Sequence, residues 1–349
     1  MGRADILVRG AGIFGLSIAF ACLKRGATVE VADPHGLAAG ASGGIVGALA
    51  PHVPDGWNAK KAFQFESLVM AAGWWAEIED LAGQSAGYAR LGRLQPVESA
   101  QALALAEARA DSARDLWRGV AEWRIIAADD AGSWAPVSPT GQLIRDTLSA
   151  RLHPRQACTA LAAAIRALGG RIVAEPSGSP GATVEATGHL GLDALGREIG
   201  RPVGTGVKGQ AALLALDRRA APQIFAAGVH VVPHADGTVA VGSTSERVFT
   251  DPAGTDAQLD DVVAQAIRIC PDLSGAAVVA RWAGVRPRAR TRAPMLGPHP
   301  LRPGTFIANG GFKIGFGIAP KVGEVIADLV LDGRDGIPDG FRVEDNLYA

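Results

Sequence analysis

The sequence predicts an α/β protein in which a parallel-sheet domain is interrupted by a smaller α+β domain built on an antiparallel sheet. Three observations predict it. Near the N-terminus an apolar strand pattern runs into a glycine turn and a helix. In the middle of the chain Asp236-Gly237 separates two β-rich runs, a hairpin signal. Near the C-terminus a glycine-dense turn leads into an amphipathic helix. The 349 residues, 48% hydrophobic and 20% charged, suffice for one large or two modest globular domains. Glycine is abundant, 45 residues, without the G-X-Y period of collagen, so it marks turns and close backbone approaches. The net charge of −1 disfavours bulk electrostatic binding to nucleic acid or an anionic membrane. No apolar run reaches the length of a membrane span, and Arg9 with three glycines interrupts the apolar N-terminus, against a secretory leader. Cys22, Cys158 and Cys270 are scattered, without zinc or redox spacing. A cytoplasmic protein with no metal site is expected.

The first element is a buried strand over Ile6, Leu7 and Val8, followed by Gly10-Ala11-Gly12-Ile13-Phe14-Gly15. A helix over residues 16–25 follows, with Lys24 and Arg25 in its last turn and Gly26 as the stop. A second strand over residues 28–32 ends at Asp33. Gly10 permits the tight turn, Gly12 lets backbone N–H groups approach a pyrophosphate, and Gly15 lets the helix pack close to the sheet. Ile13 and Phe14, inside the glycine turn, are expected at the cofactor, and the N-terminus of the helix carries partial positive charge for phosphates. Asp33, followed by Pro34, would accept hydrogen bonds from a ribose diol. This is the pattern of a Rossmann-like, glutathione-reductase-type domain binding a dinucleotide. The bland alternative is a glycine turn without ligand.

The next segment separates FAD from NAD. Ala41-Ser42-Gly43-Gly44 and the stretch Gly47-Ala48-Leu49-Ala50-Pro51 form a second small-residue loop, suited to wrap the ribityl-pyrophosphate arm of a flavin. An NAD domain would continue directly into further α/β units. Here the chain resembles the D-amino-acid oxidase-like flavoprotein family, which includes glycine oxidase and sarcosine oxidase. The match is Ala41, Ser42, Gly43, Gly47, Leu49 and Pro51 to the family's "ASG…G…L.P", with Asp33 in place of the usual glutamate. Val184-Glu185-Ala186-Thr187-Gly188 resembles a strand ending in "ATG"; Val173 is expected beside the cofactor as well. The segment from Val231 to Thr244 resembles the family's "VP..dG.v.vGst" hairpin, and Trp282-Ala283-Gly284-Val285-Arg286-Pro287 its "WAGLRP" signature. The resemblance spans nearly the whole chain and implies FAD; no cysteine lies beyond Cys270, so the flavin is expected to be held non-covalently.

The remaining elements follow in order. A helix over residues 60–81 carries Trp74 and Trp75, read as packing rather than as a ligand platform. Residues 98–123 read as a solvated helix or helix pair. A helix over 155–168, with Cys158 in its core, feeds a strand over 171–174, and residues 210–216 form an apolar strand. The expected division is a discontinuous FAD-binding domain of residues 1–85, 141–205 and 283–349. Residues 86–140 and 206–282 form the substrate domain.

Near the C-terminus, Gly310-Gly311-Phe312-Lys313-Ile314-Gly315 precedes a helix expected from about Ala319, with Pro320 in its first turn. The resemblance sets this turn beside the flavin ring. The family's "GHFRNG" has an arginine where this chain has Lys313, which keeps the charge and loses the bidentate fork. Arg286 matches the family arginine that clamps a substrate carboxylate, a task suited to a planar guanidinium. Arg288, Arg290 and Arg292 depart from the family pattern and would suit a dicarboxylate, phosphate or RNA, or simply water. Tyrosine is limited to Tyr88 and Tyr348, so His52, His230, Gln210, Glu246 and Arg247 are candidates to close over substrate.

The expected function is oxidation of the C–N bond of a small amino acid or amine. Arg286 and Lys313 hold the carboxylate, hydride passes to flavin N5, and electrons go on to oxygen or another acceptor. A homo-oligomer is compatible with this reading. Two alternatives are a flavin enzyme acting on tRNA wobble uridine and a flavin-binding protein without turnover.

Overall fold

The computed structural model describes residues 4–178 and 180–347. Two large sheets build the molecule. The first has six strands in the order Met295–Pro298, Thr305–Asn309, Ala182–Glu185, Ile6–Arg9, Val29–Ala32 and Arg171–Val173. All neighbours are parallel except Met295–Pro298 with Thr305–Asn309. Ile6, Leu7 and Val8 are buried, the all-apolar reading of a central parallel strand. The helices Ile13–Lys24, Ala59–Ala82, Pro154–Ala167 and Gly315–Asp332 pack together on this half. Trp75 is fully buried there, its ring 4.7 Å from Trp74 edge-to-face, so the pair is core. Asn58 caps the second of these helices by accepting from the Lys61 N–H, and Gly83 at φ +63 stops it.

The second sheet has eight strands. Their order is Val278–Ala289, Gly204–Ala215, Thr238–Gly242, Val229–Pro233, Gln223–Ala226, Arg93–Pro96, Gln142–Asp146 and Trp123–Ala127. The Asp236-Gly237 hairpin joins two neighbouring antiparallel strands, with Gly237 at φ +85. One face packs Leu214, Ile224, Val231 and Val241 against the helix Ala257–Ile269. The opposite face looks toward the first sheet. A short pair, Ala48–Leu49 with Ala150–Arg151, lies between the halves.

Four expectations change. The helix expected over 98–123 is Ala100–Leu116, and Trp123 opens a strand. Arg118 and Gly119 both take positive φ and end the helix, and the buried Trp117 and Trp123 rings meet at 6.0 Å. The C-terminal helix begins at Gly315, so Pro320 sits inside it. Beside Pro320 the Lys321 N–H donates to the Ser67 hydroxyl at 3.3 Å. The strand Gln142–Asp146, expected in the nucleotide part, pairs inside the eight-stranded sheet because Asp146 holds Arg93 on the adjacent strand. Residues 283–289, also expected there, are the far half of the strand Val278–Ala289 in the same sheet. Tyr348 lies outside the described residues.

Candidate active site

A cleft of about 1190 Å³ runs between the two sheets. Its floor is the first glycine turn. Gly10 has φ +105, and a Cβ there would collide with the Ala186 carbonyl, so only glycine closes this turn against the neighbouring strand end. At Gly12 a Cβ would come to 3.1 Å from Ser42 Oγ, and the Ile13 N–H donates to the same oxygen at 2.9 Å. The second small-residue loop therefore touches the N-terminus of the helix Ile13–Lys24. Gly15 does not line the cleft; its missing Cβ makes room for the Gly10 carbonyl, the packing role expected of it. Asp33 Oδ2 accepts from the Ala11 N–H at 2.8 Å and Oδ1 from the His35 N–H at 2.9 Å. The carboxylate is thus fixed at the cleft wall.

The remaining cofactor candidates sort cleanly. Phe14, Pro34, Ala41, Gly47, Leu49, Thr187 and Gly188 line the cleft with those above. Val173 does not: its carbonyl accepts from the Asp33 N–H at 3.0 Å, and the next three residues form the wall instead. The C-terminal turn Gly310, Gly311, Phe312, Lys313 and Gly315 lines the opposite end. Asn309 anchors it, donating to the Gly188 carbonyl at 2.9 Å and accepting from the Gly310 N–H at 2.8 Å. Phe312 takes φ +41 and donates its N–H to the Pro287 carbonyl at 3.0 Å. The helix Gly315–Asp332 starts here and aims its positive end into the cleft.

These features fit FAD. Bare backbone lies at a helix N-terminus for phosphates, a fixed acid for ribose, and a second helix N-terminus at the far end for the negative charge of a reduced ring. The volume exceeds the roughly 300–1,000 Å³ of a single small-ligand pocket, leaving space for substrate.

The substrate end is built on the eight-stranded sheet. Arg286 pairs across to Val207, and its guanidinium lies over Gly209, where a Cβ would collide with it. Nη2 donates to Ser243 Oγ at 2.6 Å and Nη1 to the Thr244 carbonyl at 3.4 Å. Burial pulls the Arg286 guanidinium down to about 10, against Glu246. Lys313 shares the cavity; its ammonium lies 5.8 Å from the Phe312 ring centroid. The residue as a whole is exposed, yet desolvation, with Arg286 second, holds it below the usual lysine value. Trp282 leans over Gly44, 3.4 Å from where its Cβ would be.

Of the candidates to close over substrate, the structure keeps two. His230 pairs with Gly242 and faces the cleft; its buried Nδ1 has no hydrogen-bond partner, and its ring lies 4.5 Å from Phe225. Enclosure pushes it down to about 3, with Arg93, Lys313 and Arg286 adding to the effect. His52 lines the cleft and its N–H donates to Gln64 Oε1 at 2.8 Å. Gln210, by contrast, points to the other sheet face, donating to Glu246 and Asp256. Glu246 faces Lys208 at 3.6 Å, and Arg247 is exposed outside the cleft. Tyr88 is half-buried outside the cleft. Arg288, Arg290 and Arg292 lie outside the cleft wall; Arg288 sits 6.0 Å from the Phe312 ring. The residue the sequence reading missed is Arg93, which lines the cleft from a strand without any motif.

Comparison with known proteins agrees. The profile described as "DAO: FAD dependent oxidoreductase" matches residues 5–329. The chain is 26% identical to glycine oxidase of Geobacillus kaustophilus, over 94% of this chain and 93% of that one. It is also 26% identical to the bifunctional protein ThiO/ThiG of Nostoc sp., over 95% of this chain, but spans only about half of that relative, 53%. In fold it is similar to the crystal structures of iminodiacetate oxidase from Chelativorans sp. BNC1, with TM-score 0.85, 21% identity and 97% and 98% of the two chains covered, and of glycine oxidase from Geobacillus kaustophilus, with TM-score 0.81, 21% identity and 97% of each chain covered. No helix among the described residues is long and apolar enough to cross a membrane. With the match extending over most of its length, the chain belongs to the FAD-dependent oxidoreductase family.

Proposed function

We propose that this protein oxidises the C–N bond of a small amino acid or amine, as a cytoplasmic enzyme of the glycine-oxidase type. The part built on the six-stranded sheet holds FAD and the part built on the eight-stranded sheet holds substrate. The observation that carries the reading is the Arg286 guanidinium, held over Gly209 by Ser243 and Thr244 and facing the glycine turn of residues 310–315. Non-covalent FAD, when bound, supplies the acceptor for the hydride leaving the substrate α-carbon.

The chain's own residues bind and orient. Arg286 takes the substrate carboxylate through its fork and Lys313 adds charge from the opposite wall. Cations facing one enclosed space disfavour an ammonium there, so the amine binds with its lone pair free. A side-chain base is then unnecessary. His230 stays an uncharged imidazole across the physiological range, because its pKa lies at about 3. The imine product takes up water and gives a keto acid and the free amine or ammonia. Oxygen or another acceptor receives the electrons.

The test is anaerobic titration of the purified yellow protein with glycine, sarcosine, neutral and acidic D-amino acids and L-proline. Bleaching by one of them supports the reading, and readmitted air then separates an oxidase from a dehydrogenase. Persistent colour with every member of the panel would overturn it.

A further inference from the structure

The strand register places a second cation in the substrate half of the cleft. His230 pairs with Phe225 on the strand Gln223–Ala226, and Gln223 on that strand pairs with Arg93. Paired residues share a sheet face, and residues two apart on one strand share it too. Arg93, Phe225 and His230 therefore stand on the same face as Gly242, Gly209 and Arg286. That face forms the cleft wall.

Arg93 is only 5% exposed. Its Nε donates to Asp146 Oδ2 at 2.9 Å, and Asp146, fully buried, also accepts from the Ser149 N–H at 2.8 Å. One edge of the guanidinium is thus fixed. Its terminal nitrogens have no hydrogen-bond partner among the described residues, and the side chain lines the cleft. Two strands over stands His230, whose buried Nδ1 has no hydrogen-bond partner, and His52 lines the same cleft. The strand order sets His230, on Val229–Pro233, between Arg286 on Val278–Ala289 and Arg93 on Arg93–Pro96. A buried arginine with unused donors, aimed into a cavity that already has a carboxylate clamp, has the chemistry of an anion subsite.

We propose that Arg93 forms a second acid-binding position, so that the preferred substrate is an amine with two carboxylates, one on Arg286 and the other on Arg93. This specificity rests on the amine-oxidising reading above. The bland alternative is that Arg93 only neutralises Asp146.

Binding decides it without turnover. Holoprotein is titrated calorimetrically with malonate, succinate and glutarate and, in parallel, with acetate, propionate and butyrate. Wild type should bind the best dicarboxylate about 10- to 100-fold tighter than the monocarboxylate of equal length, the span of one charge-assisted contact. In the double variant Arg93→Met/Asp146→Asn, which leaves no buried carboxylate unpaired, that ratio should fall to about 1–3. No preference in wild type overturns the proposal, and so does a preference that survives in the variant. If the variant fails to fold, Arg93→Lys decides: its shorter, unforked charge should lower the ratio, and an unchanged ratio overturns the proposal. A dicarboxylate preference that depends on Arg93 in a protein no amine reduces would keep the subsite and remove the oxidase reading. Amine oxidation without such a preference does the reverse.

Discussion

Replacing Gly209 with alanine tests the carboxylate clamp without touching a charge. Gly209 is a strand residue without positive φ, so alanine fits its backbone. The three nearest atoms to an added Cβ are Nη1, Nη2 and Cζ of Arg286, all at collision distance. These atoms are the far end of a flexible side chain, not backbone. The flexible guanidinium tip must therefore move, by about 1.5 Å, to bring Nη1 from 1.9 Å out to ordinary contact at 3.4 Å, and its bonds to Ser243 Oγ and the Thr244 carbonyl break. A displacement of about 1 Å in a positioning group costs on the order of 10²-fold, and a lost charge-assisted contact about 1.5–3 kcal/mol, or roughly 10- to 150-fold. The fold should gain, since glycine to alanine at a compatible site stabilises by about 0.4–1 kcal/mol. The expected result is a Tm unchanged or slightly raised, with kcat/KM for a carboxylate-bearing amine about 10- to 100-fold lower. Stopped-flow reduction of the flavin and a thermal melt read the two quantities. An unchanged kcat/KM with an intact fold would show that Arg286 does not hold the substrate where the structure holds its guanidinium.

Gly10→Ala forces a side chain against the Ala186 carbonyl at φ +105, and the purified protein should lose its flavin absorbance relative to 280 nm. Retention of full FAD occupancy would refute the cradle. Lys313→Met should raise KM for the same amine about 3- to 10-fold, the scale of a partly exposed charge, with little change in Tm; an unchanged KM would place Lys313 outside the site. His230 contributes to acid lability with a definite sign. Its folded pKa, about 3, lies below the ordinary 6.5, so below pH 6.5 the unfolded chain takes up a proton that the native chain refuses. Stability is full above pH 6.5 and falls toward pH 3 by about 1.4 kcal/mol per pH unit for this group. Urea melts of His230→Gln at pH 7, 6 and 5 should show a flatter acid limb than wild type; parallel curves would refute it.

The nucleotide floor was legible because everything in it is local. A strand, a glycine turn, a helix and an acid follow one another within residues 6–33, and each glycine has a separate steric duty. Val173 is off by one residue: the strand ends there, its carbonyl is spent on the Asp33 N–H, and the wall begins with Ala174. The substrate wall is different. Five polar candidates, from His52 to Arg247, had equal standing in sequence. Only the register of the eight-stranded sheet separates His230, which faces the cleft, from Gln210, which faces the helix Ala257–Ile269. Arg93 carried no signal at all. Its strand, Arg93–Pro96, reaches the cleft by pairing in parallel with Gln223–Ala226, far away in sequence, and that pairing is set by long-range packing.

The arginine run at residues 281–292 shows how one physical rule resolves what composition cannot. Along the strand Val278–Ala289, side chains alternate between faces, so Trp282, Gly284, Arg286 and Arg288 share one side and Arg281 takes the other, where it meets Asp260. On the shared side Gly284 pairs with Gly209 across the ladder. The Trp282 ring occupies the space above Gly284, and the Arg286 guanidinium the space above Gly209. Two facing glycines, costly to a strand in packing and in entropy, thus open a notch in which an aromatic ring and a cation lie flat against the sheet. A surplus of glycine that first reads as turns is in part the absence of side chains from the floor of a binding site. A sequence with the same arginines but alanines at 209 and 284 would keep the sheet and lose the clamp.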